Sequence, residues 1–182
     1  MRQLKFHERK LLKKVDFLRW QRENNLRELQ VMRTYHIQDR DDYKRYNKLC
    51  GLVTKFVHEI KALDAKDSSR IELTDQLLDK LYNMGVIPTK KSLAQIETLS
   101  TAAFCRRRLA VVAVRLRMAQ SVKEAVTYVE QGHIRVGPET VTDPAFLVTR
   151  SMEDFVTWAD TSKIKRKVAK YNDKLDDYDL LN

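Results

Sequence analysis

The residues best placed to do chemistry in this chain are its cations. From Thr98 to Lys123 there is no aspartate or glutamate, while Arg106, Arg107, Arg108, Arg115, Arg117 and Lys123 all fall in that stretch. Like charges gathered this closely repel unless a partner neutralises them. Guanidinium groups match phosphate and carboxylate oxygens in two-pronged fashion, so the chemistry on offer is recognition of a polyanion. Catalysis finds less support. His7, His36, His58 and His133 are scattered singly, and the sequence holds no glycine-rich phosphate loop and no His/Cys/Asp cluster. A binding protein that uses neither metal nor organic cofactor is expected.

The whole chain leans the same way. Thirty-five lysines and arginines face 25 acidic residues, giving a net charge of +10. Such an excess favours a nucleic-acid partner, because bound cations displace condensed counterions from phosphates. Hydrophobic residues make up 43% of the 182 positions, enough for a packed core. Cys50 and Cys105 are the only thiols. They lack zinc-ligand spacing and suggest a reducing compartment. The N-terminal cations Lys5, Arg9, Lys10, Lys13 and Lys14 have no apolar run behind them, unlike a secretory signal. No stretch approaches the ~20 apolar residues of a membrane span. The expectation is a soluble intracellular protein with no membrane or small-molecule partner.

Two short helices and a hairpin must position the cations. Leu109, Val112, Ala113 and Leu116 would share the buried side of a helix from about Arg106 to Met118. At ~100° per residue, Arg108 and Arg115 then lie about 20° apart on one flank, with Arg106 and Arg117 equally close on the other. The arginines should therefore frame the buried face and stay available to phosphates. Ser121 and Glu124 have capping-box spacing, and Val122, Ala125, Val126 and Val129 give the second helix an apolar stripe that Gly132 can end. Lys123 sits beside its N-terminus, a candidate anion site. His133 to Val136 alternates as a strand, with Ile134 and Val136 inward and His133 and Arg135 outward. Gly137-Pro138 turns the chain and Val141-Thr142 is the expected return strand. Phe146 to Val148 and Phe155 to Trp158 supply further strand material.

Upstream, residues 1–100 read as helical. Leu4, Leu11, Leu12, Val15, Phe17 and Leu18 alternate with cations in a basic amphipathic helix, whose polar face is solvated or touches RNA. Tyr43, Tyr46, Leu49, Val53, Phe56, Val57 and Ile60 recur at helical spacing from Arg40 to Ala62, with Asp39 as N-cap. That stripe reads as core, although tyrosines also serve as base-stacking platforms. A helix after Asp67-Ser68 carries Ile71, Leu77, Leu78, Leu81 and Met84 and should stop at Gly85. Ser92 to Leu99, with Ser92 and Gln95 at capping-box spacing, is a short helix candidate. Residues 161–182 form a charged tail, basic at Lys163, Lys165, Arg166, Lys167 and Lys170, then acidic at Asp173, Asp176, Asp177 and Asp179. It reads as solvated, or as docked on a basic partner.

Four strings in order, Arg107-Arg108-Leu109, Met118-Ala119-Gln120-Ser121, Gln131 to Gly137 and Pro144 to Val148, resemble the S4 RNA-binding domain, also called the alpha-L motif. The turn at Val136-Gly137-Pro138 departs from the Asn-Gly common in bacterial S4 domains. Outside the module, residues 11–20, 30–38, 79–86 and 149–158 resemble a family of S4-containing subunits of the U3 small nucleolar ribonucleoprotein. The resemblance implies an RNA-binding component of the nucleolar small-subunit processome, helping U3 small nucleolar RNA pair with pre-ribosomal RNA. It further implies a large phosphoprotein scaffold and a sister subunit as partners. Carried onto this chain, the expected RNA contacts are Arg106, Arg107, Arg108, Arg115, Arg117, Lys123, His133 and Arg135.

The expected fold is therefore α+β: a mostly helical region over residues 1–100, an S4 module of two helices and a short antiparallel sheet over 104–160, and the tail. S4 domains also occur on enzymes, but residues 1–100 offer no catalytic domain. A structural protein of the mature small ribosomal subunit would share the fold and is the main alternative. A protein scaffold with incidental RNA contact is a third.

Overall fold

The computed structural model describes residues 2–14 and 17–174, the side chains of residues 14–25 excepted. Helices α1 (Phe6–Lys14), α2 (Phe17–Thr34), α3 (Arg40–Ala62), α4 (Ser68–Asn83), α5 (Ala94–Glu97) and α6 (Thr101–Cys105) come first. Then follow α7 (Leu109–Arg115), α8 (Val122–Glu130), β1 (Ile134–Val136), β2 (Glu139–Thr140), α9 (Arg150–Glu153), β3 (Val156–Trp158) and α10 (Lys163–Tyr171). The architecture is α+β, with one antiparallel sheet in the order β2-β1-β3. Val15, the side chains of Phe17 and Leu18, and Asp176, Asp177 and Asp179 of the expected tail lie outside the described residues.

The helical half follows its apolar periodicity. Helix α3 spans the expected bounds and buries Tyr46, Cys50, Val57 and Ile60, while Leu49 faces out. Tyr46 is core: its ring lies parallel to that of Phe104, centroids 6.1 Å apart. Asp67 caps α4 by accepting the Ser69 N–H at 3.0 Å. The helix ends in a Schellman turn, with Gly85 at φ +73° and the Val86 N–H donating to the Leu81 carbonyl at 3.0 Å. Helix α5 starts at Ala94, later than expected, because Gln95 bonds the Thr89 hydroxyl instead of closing a box with Ser92.

Among the described residues, three apolar clusters form the core. One joins α3, α4 and α5 through Val57, Leu78, Leu81, Ile87 and Ile96. A second lies inside the module, with Leu109, Val112, Ala125, Val129, Ile134 and Val156. The third sits between them: Ile37, Tyr46, Cys50 and Val86 pack on Ala103, Phe104 and Cys105, with Leu147 against them. Phe104 and Cys105, expected to open the module, belong to this third cluster.

Inside the module the first helix is shorter than its apolar spacing suggests. Arg108 is extended, with ψ 141°, and acts as N-cap. It is held so by two backbone bonds, Leu109 N–H to Phe146 carbonyl at 2.8 Å and Val148 N–H to Arg107 carbonyl at 2.9 Å. The expected strand at Phe146 to Val148 is this single bridge between Arg108 and Leu147. Helix α7 stops at Arg115, with Arg117 left-handed at φ +60° and the Met118 N–H returning to the Ala113 carbonyl. Leu116 is therefore exposed, and Ala110 takes its place in the core. The return strand is Glu139–Thr140, two residues before the expected Val141-Thr142, and β3 pairs on the other side of β1, Val136 opposite Val156.

Gly85 has a second duty, since a Cβ there would lie 2.6 Å from Cζ of Arg107. Gly137, at φ +63°, has nothing within 4 Å of its own would-be Cβ. Gly137→Ala is expected to cost about 1 kcal/mol, the left-handed penalty alone. Gly85→Ala should cost clearly more in thermal denaturation; equal losses would show that Arg107 does not need the space.

Candidate nucleic-acid interface

The structure divides the eight sequence-predicted contacts into buried ties and surface cations. Arg108 is only 3% exposed. Its Nη1 donates to the Asp42 carboxylate at 3.0 Å and to the Tyr46 hydroxyl at 3.2 Å, both on α3. Burial opposes the charge on Arg108, but the bonds and charges of Asp42 and Tyr46 outweigh it and hold its pKa above the ordinary value. Arg107 is 5% exposed. Its Nε and Nη2 donate to the Val148 carbonyl at 2.9 and 2.7 Å, and Glu153 lies 3.3 Å from both Nη1 and Nη2. The expectation that these arginines frame the buried face is corrected: both enter it. The helix expected to start at Arg106 begins at Leu109, so its angular arithmetic does not apply to residues 106–108.

Arg115 is half-exposed and pairs with the other oxygen of Glu153. Burial, with the charges of Arg107 and Arg150, lowers its pKa. Arg150 completes the group by donating to the Tyr82 and Ile87 carbonyls at 2.8 and 2.9 Å, its guanidinium 4.0 Å above the Tyr82 ring. One carboxylate thus sits among three guanidiniums, an excess of positive charge with Arg115 at its open side.

Arg106, Arg117 and Lys123 are exposed. Among the described residues none is paired with a carboxylate. Arg115, Arg117 and Lys123 lie at the ends of α7 and α8 and in the turn between them. The N-terminus of α8 is already occupied. Ser121 accepts the Glu124 N–H at 3.2 Å, and the Glu124 carboxylate accepts the Gln120 N–H at 2.9 Å and the Tyr128 hydroxyl at 2.6 Å. The Tyr128 hydroxyl and the Gln120 N–H hold Glu124 below the usual carboxylate range. The cap is as expected, but the anion it receives is its own. His133 and Arg135 are engaged as well. His133 Nδ1 lies 3.0 Å from the Ser162 hydroxyl, and Arg135 donates to Thr157 at 3.0 Å and to Asp160 at 2.5 Å.

Asp42, Arg150 and Glu153 were missed in the sequence because their partners lie between 38 and 68 residues away in the chain. The one available signal was Arg107-Arg108 standing between two apolar helices, where a charged pair has nowhere to point but inward.

Residues 3–106 match the family model of the ribosomal protein S4/S9 N-terminal domain, and residues 107–154 match that of the S4 domain. The two meet at the bend that leads α6 into α7. The U3 small nucleolar ribonucleoprotein protein IMP3 of Mus musculus is 55% identical over 181 residues, covering 99% of this chain and 98% of the relative. That of Saccharomyces cerevisiae is 50% identical over 181 residues, 99% of each chain. The chain belongs to the IMP3 family. More distant is the small ribosomal subunit protein uS4 of Pyrobaculum aerophilum, 28% identical over 76% of this chain and 86% of the relative. The S4 match spans α7, α8, β1, β2 and α9, and leaves β3 and α10 outside both family models.

The thiols offer little nucleophilic chemistry in this IMP3-family fold. Cys50 and Cys105 are buried, and burial raises both, Cys105 to about 11. Below the ordinary thiol pKa both folded and unfolded Cys105 are neutral. As pH rises toward 11 only the unfolded thiol ionises, so stability should fall by up to roughly 2 kcal/mol across that window. Cys105→Ser should flatten that loss in pH-dependent melting. The arginines divide by a different test. Arg108→Ala removes the buried partner of Asp42, leaves it only exposed Arg45 at 3.6 Å, and should cost about 3 kcal/mol. Arg106→Ala should stay within about 0.5 kcal/mol. Similar losses in urea unfolding would refute the division into buried ties and surface cations.

Proposed function

We propose that this protein is an RNA-gripping subunit of a U3 small nucleolar ribonucleoprotein, helping the small nucleolar RNA pair with pre-ribosomal RNA during early small-subunit processing in the nucleolus. Its part is binding, not catalysis. The observation that carries the reading is the sorting of the arginine run. Arg107 and Arg108 are locked inside, while Arg106, Arg117 and Lys123 are exposed with half-exposed Arg115 beside them. Arg135 and His133, tied to the chain itself, are secondary contacts at most.

The mechanism is electrostatic. Pairing two RNA strands forces phosphates together, and cations already fixed in place lower that repulsion without an ordering cost at the moment of pairing. In this reading the module of residues 104–160 grips one strand, the helical region of residues 1–100 holds the module, and a large phosphoprotein scaffold and a sister subunit are the protein partners in the particle. The similarity to archaeal uS4 keeps a place in the mature small subunit as the second reading. Sedimentation separates them: enrichment in precursor particles supports the first, presence in translating ribosomes the second.

Annealing of a U3-derived RNA to its pre-ribosomal complement tests the mechanism. The Arg106→Ala, Arg117→Ala, Lys123→Ala variant should anneal more slowly and lose about 2 from its log-log salt slope, at ~0.7 per single-strand phosphate contact. Wild-type rates from a variant with an unchanged melting temperature would rule the mechanism out.

A further inference from the structure

Helix α10 follows the S4 match, which ends at residue 154. Two ties fix it to the module. Ser162, 1% exposed, caps the helix by accepting the Ile164 N–H at 3.2 Å and bonds His133 Nδ1 at 3.0 Å, just ahead of β1. The Ala159 N–H donates to the His133 carbonyl at 2.8 Å, reinforcing the same joint. Asp160 forms the second tie, pairing with Arg135 of β1 at 2.5 Å and with Lys165 of α10 at 2.6 Å. These two cations hold the Asp160 carboxyl below the usual range. Residues 163–171 of the charged tail are largely exposed, as their charge suggests, and form a helix with a fixed root.

What the helix presents is sorted by face. No acidic residue occurs from Thr161 to Asn172. At ~100° per residue Lys163, Lys167 and Lys170 lie within about 60° of one another, and Ile164, Val168 and Tyr171 occupy a neighbouring arc of about 60°. Among the described residues no carboxylate pairs with Lys163, Lys167 or Lys170. Ile164 is partly packed, whereas Val168 is exposed and Tyr171 is 90% exposed. A row of three ammonium groups spanning about 10 Å, next to an aromatic ring in open solvent, is the combination that single-stranded nucleic acid selects: charge for the backbone, a flat face for a base.

We propose that α10 is a second RNA-binding element, with Lys163, Lys167 and Lys170 on the phosphates of a single strand leaving the S4 module and Tyr171 stacked on one of its bases. His133 and Arg135 serve it as anchors. The proposal rests on the reading that the module grips RNA. A basic helix also suits an anionic membrane surface, but Val168 and Tyr171 alone give too small an apolar face for insertion.

The test uses the full chain and two labelled RNA hairpins, one blunt and one with a single-stranded extension. Lys163→Ala, Lys167→Ala, Lys170→Ala together should weaken binding of the extended hairpin and lower its salt slope by about 2, at ~0.7 per contact. Tyr171→Ala should weaken it roughly tenfold at unchanged slope. Both variants should hold the blunt hairpin as wild type does, and Arg106→Ala, Arg117→Ala, Lys123→Ala should lose it. Wild-type affinity and slope of the triple lysine variant on the extended hairpin overturns the role of α10 and leaves the module's intact. Blunt-hairpin binding that survives loss of Arg106, Arg117 and Lys123 overturns the module reading instead. Sedimentation with phosphatidylserine vesicles that depends on the three lysines, with RNA binding unaltered, also overturns the proposal.

Discussion

A guanidinium group leaves water at high cost unless carboxylates, hydroxyls or carbonyls accept from it. Two adjacent arginines in this chain find such acceptors, and the fold is arranged around them. Arg108 reaches back to Asp42 and Tyr46 on α3, and Arg107 reaches forward to Val148 and Glu153. Consecutive residues of an extended segment point to opposite sides, so a dipeptide can tie two different parts of the molecule at once. The extended backbone at Arg108 that makes this possible is held by pairing with Phe146 to Val148. Gly85 clears the space Arg107 occupies. Removing either tie would leave a carboxylate or a carbonyl without its donor at the seam between the helical half and the module.

That seam explains which parts of the structure were legible from sequence. Apolar periodicity with capping residues located α3, α4, α8 and β1 well, because those signals act within a few turns of chain. Ser121 with Glu124, and Gly85 and Gly132 at left-handed stops, are local chemistry, and the structure contains them. The start of α7 was misplaced because Arg106 closes α6 and pairing with residues 146–148 holds Arg107 and Arg108 out of the helix. Its end was misplaced because a left-handed Arg117, where glycine is the usual sign, closes the helix early. The return strand moved by two residues for a related reason. Gly137-Pro138 makes the turn so tight that Glu139 already pairs with Val136.

The cation run shows the same limit in electrostatic terms. Its one-sign charge demanded neutralisation, and that inference was sound. The sequence could not say whether the neutralising charge would be a ligand's or the chain's own. Asp42 and Glu153, lying 66 and 46 residues from their arginine partners, supply part of it. The anion expected at the start of α8 is Glu124. What remains unneutralised among the described residues is a smaller set, Arg106, Arg117 and Lys123, and it is better suited to RNA than the full run would be. Exposed cations keep their hydration until a phosphate displaces it, whereas cations already bonded to carboxylates must first give up a partner.

Internal ion pairs and external contacts then become parts of one device. Binding a flexible polyanion is costly when the protein must also order itself. The buried arginines hold the ends of α7 and α8 on a fixed base, and the Ser162 and Asp160 ties extend that base to α10. His133 and Arg135 illustrate the trade. Each has the right chemistry to touch RNA directly, yet each is used to hold a helix with three lysines on one face. Two direct contacts are exchanged for a longer surface whose direction is set before RNA arrives. A strand crossing from the module to α10 would then meet fixed charges along its path, which is what pairing with a second strand requires.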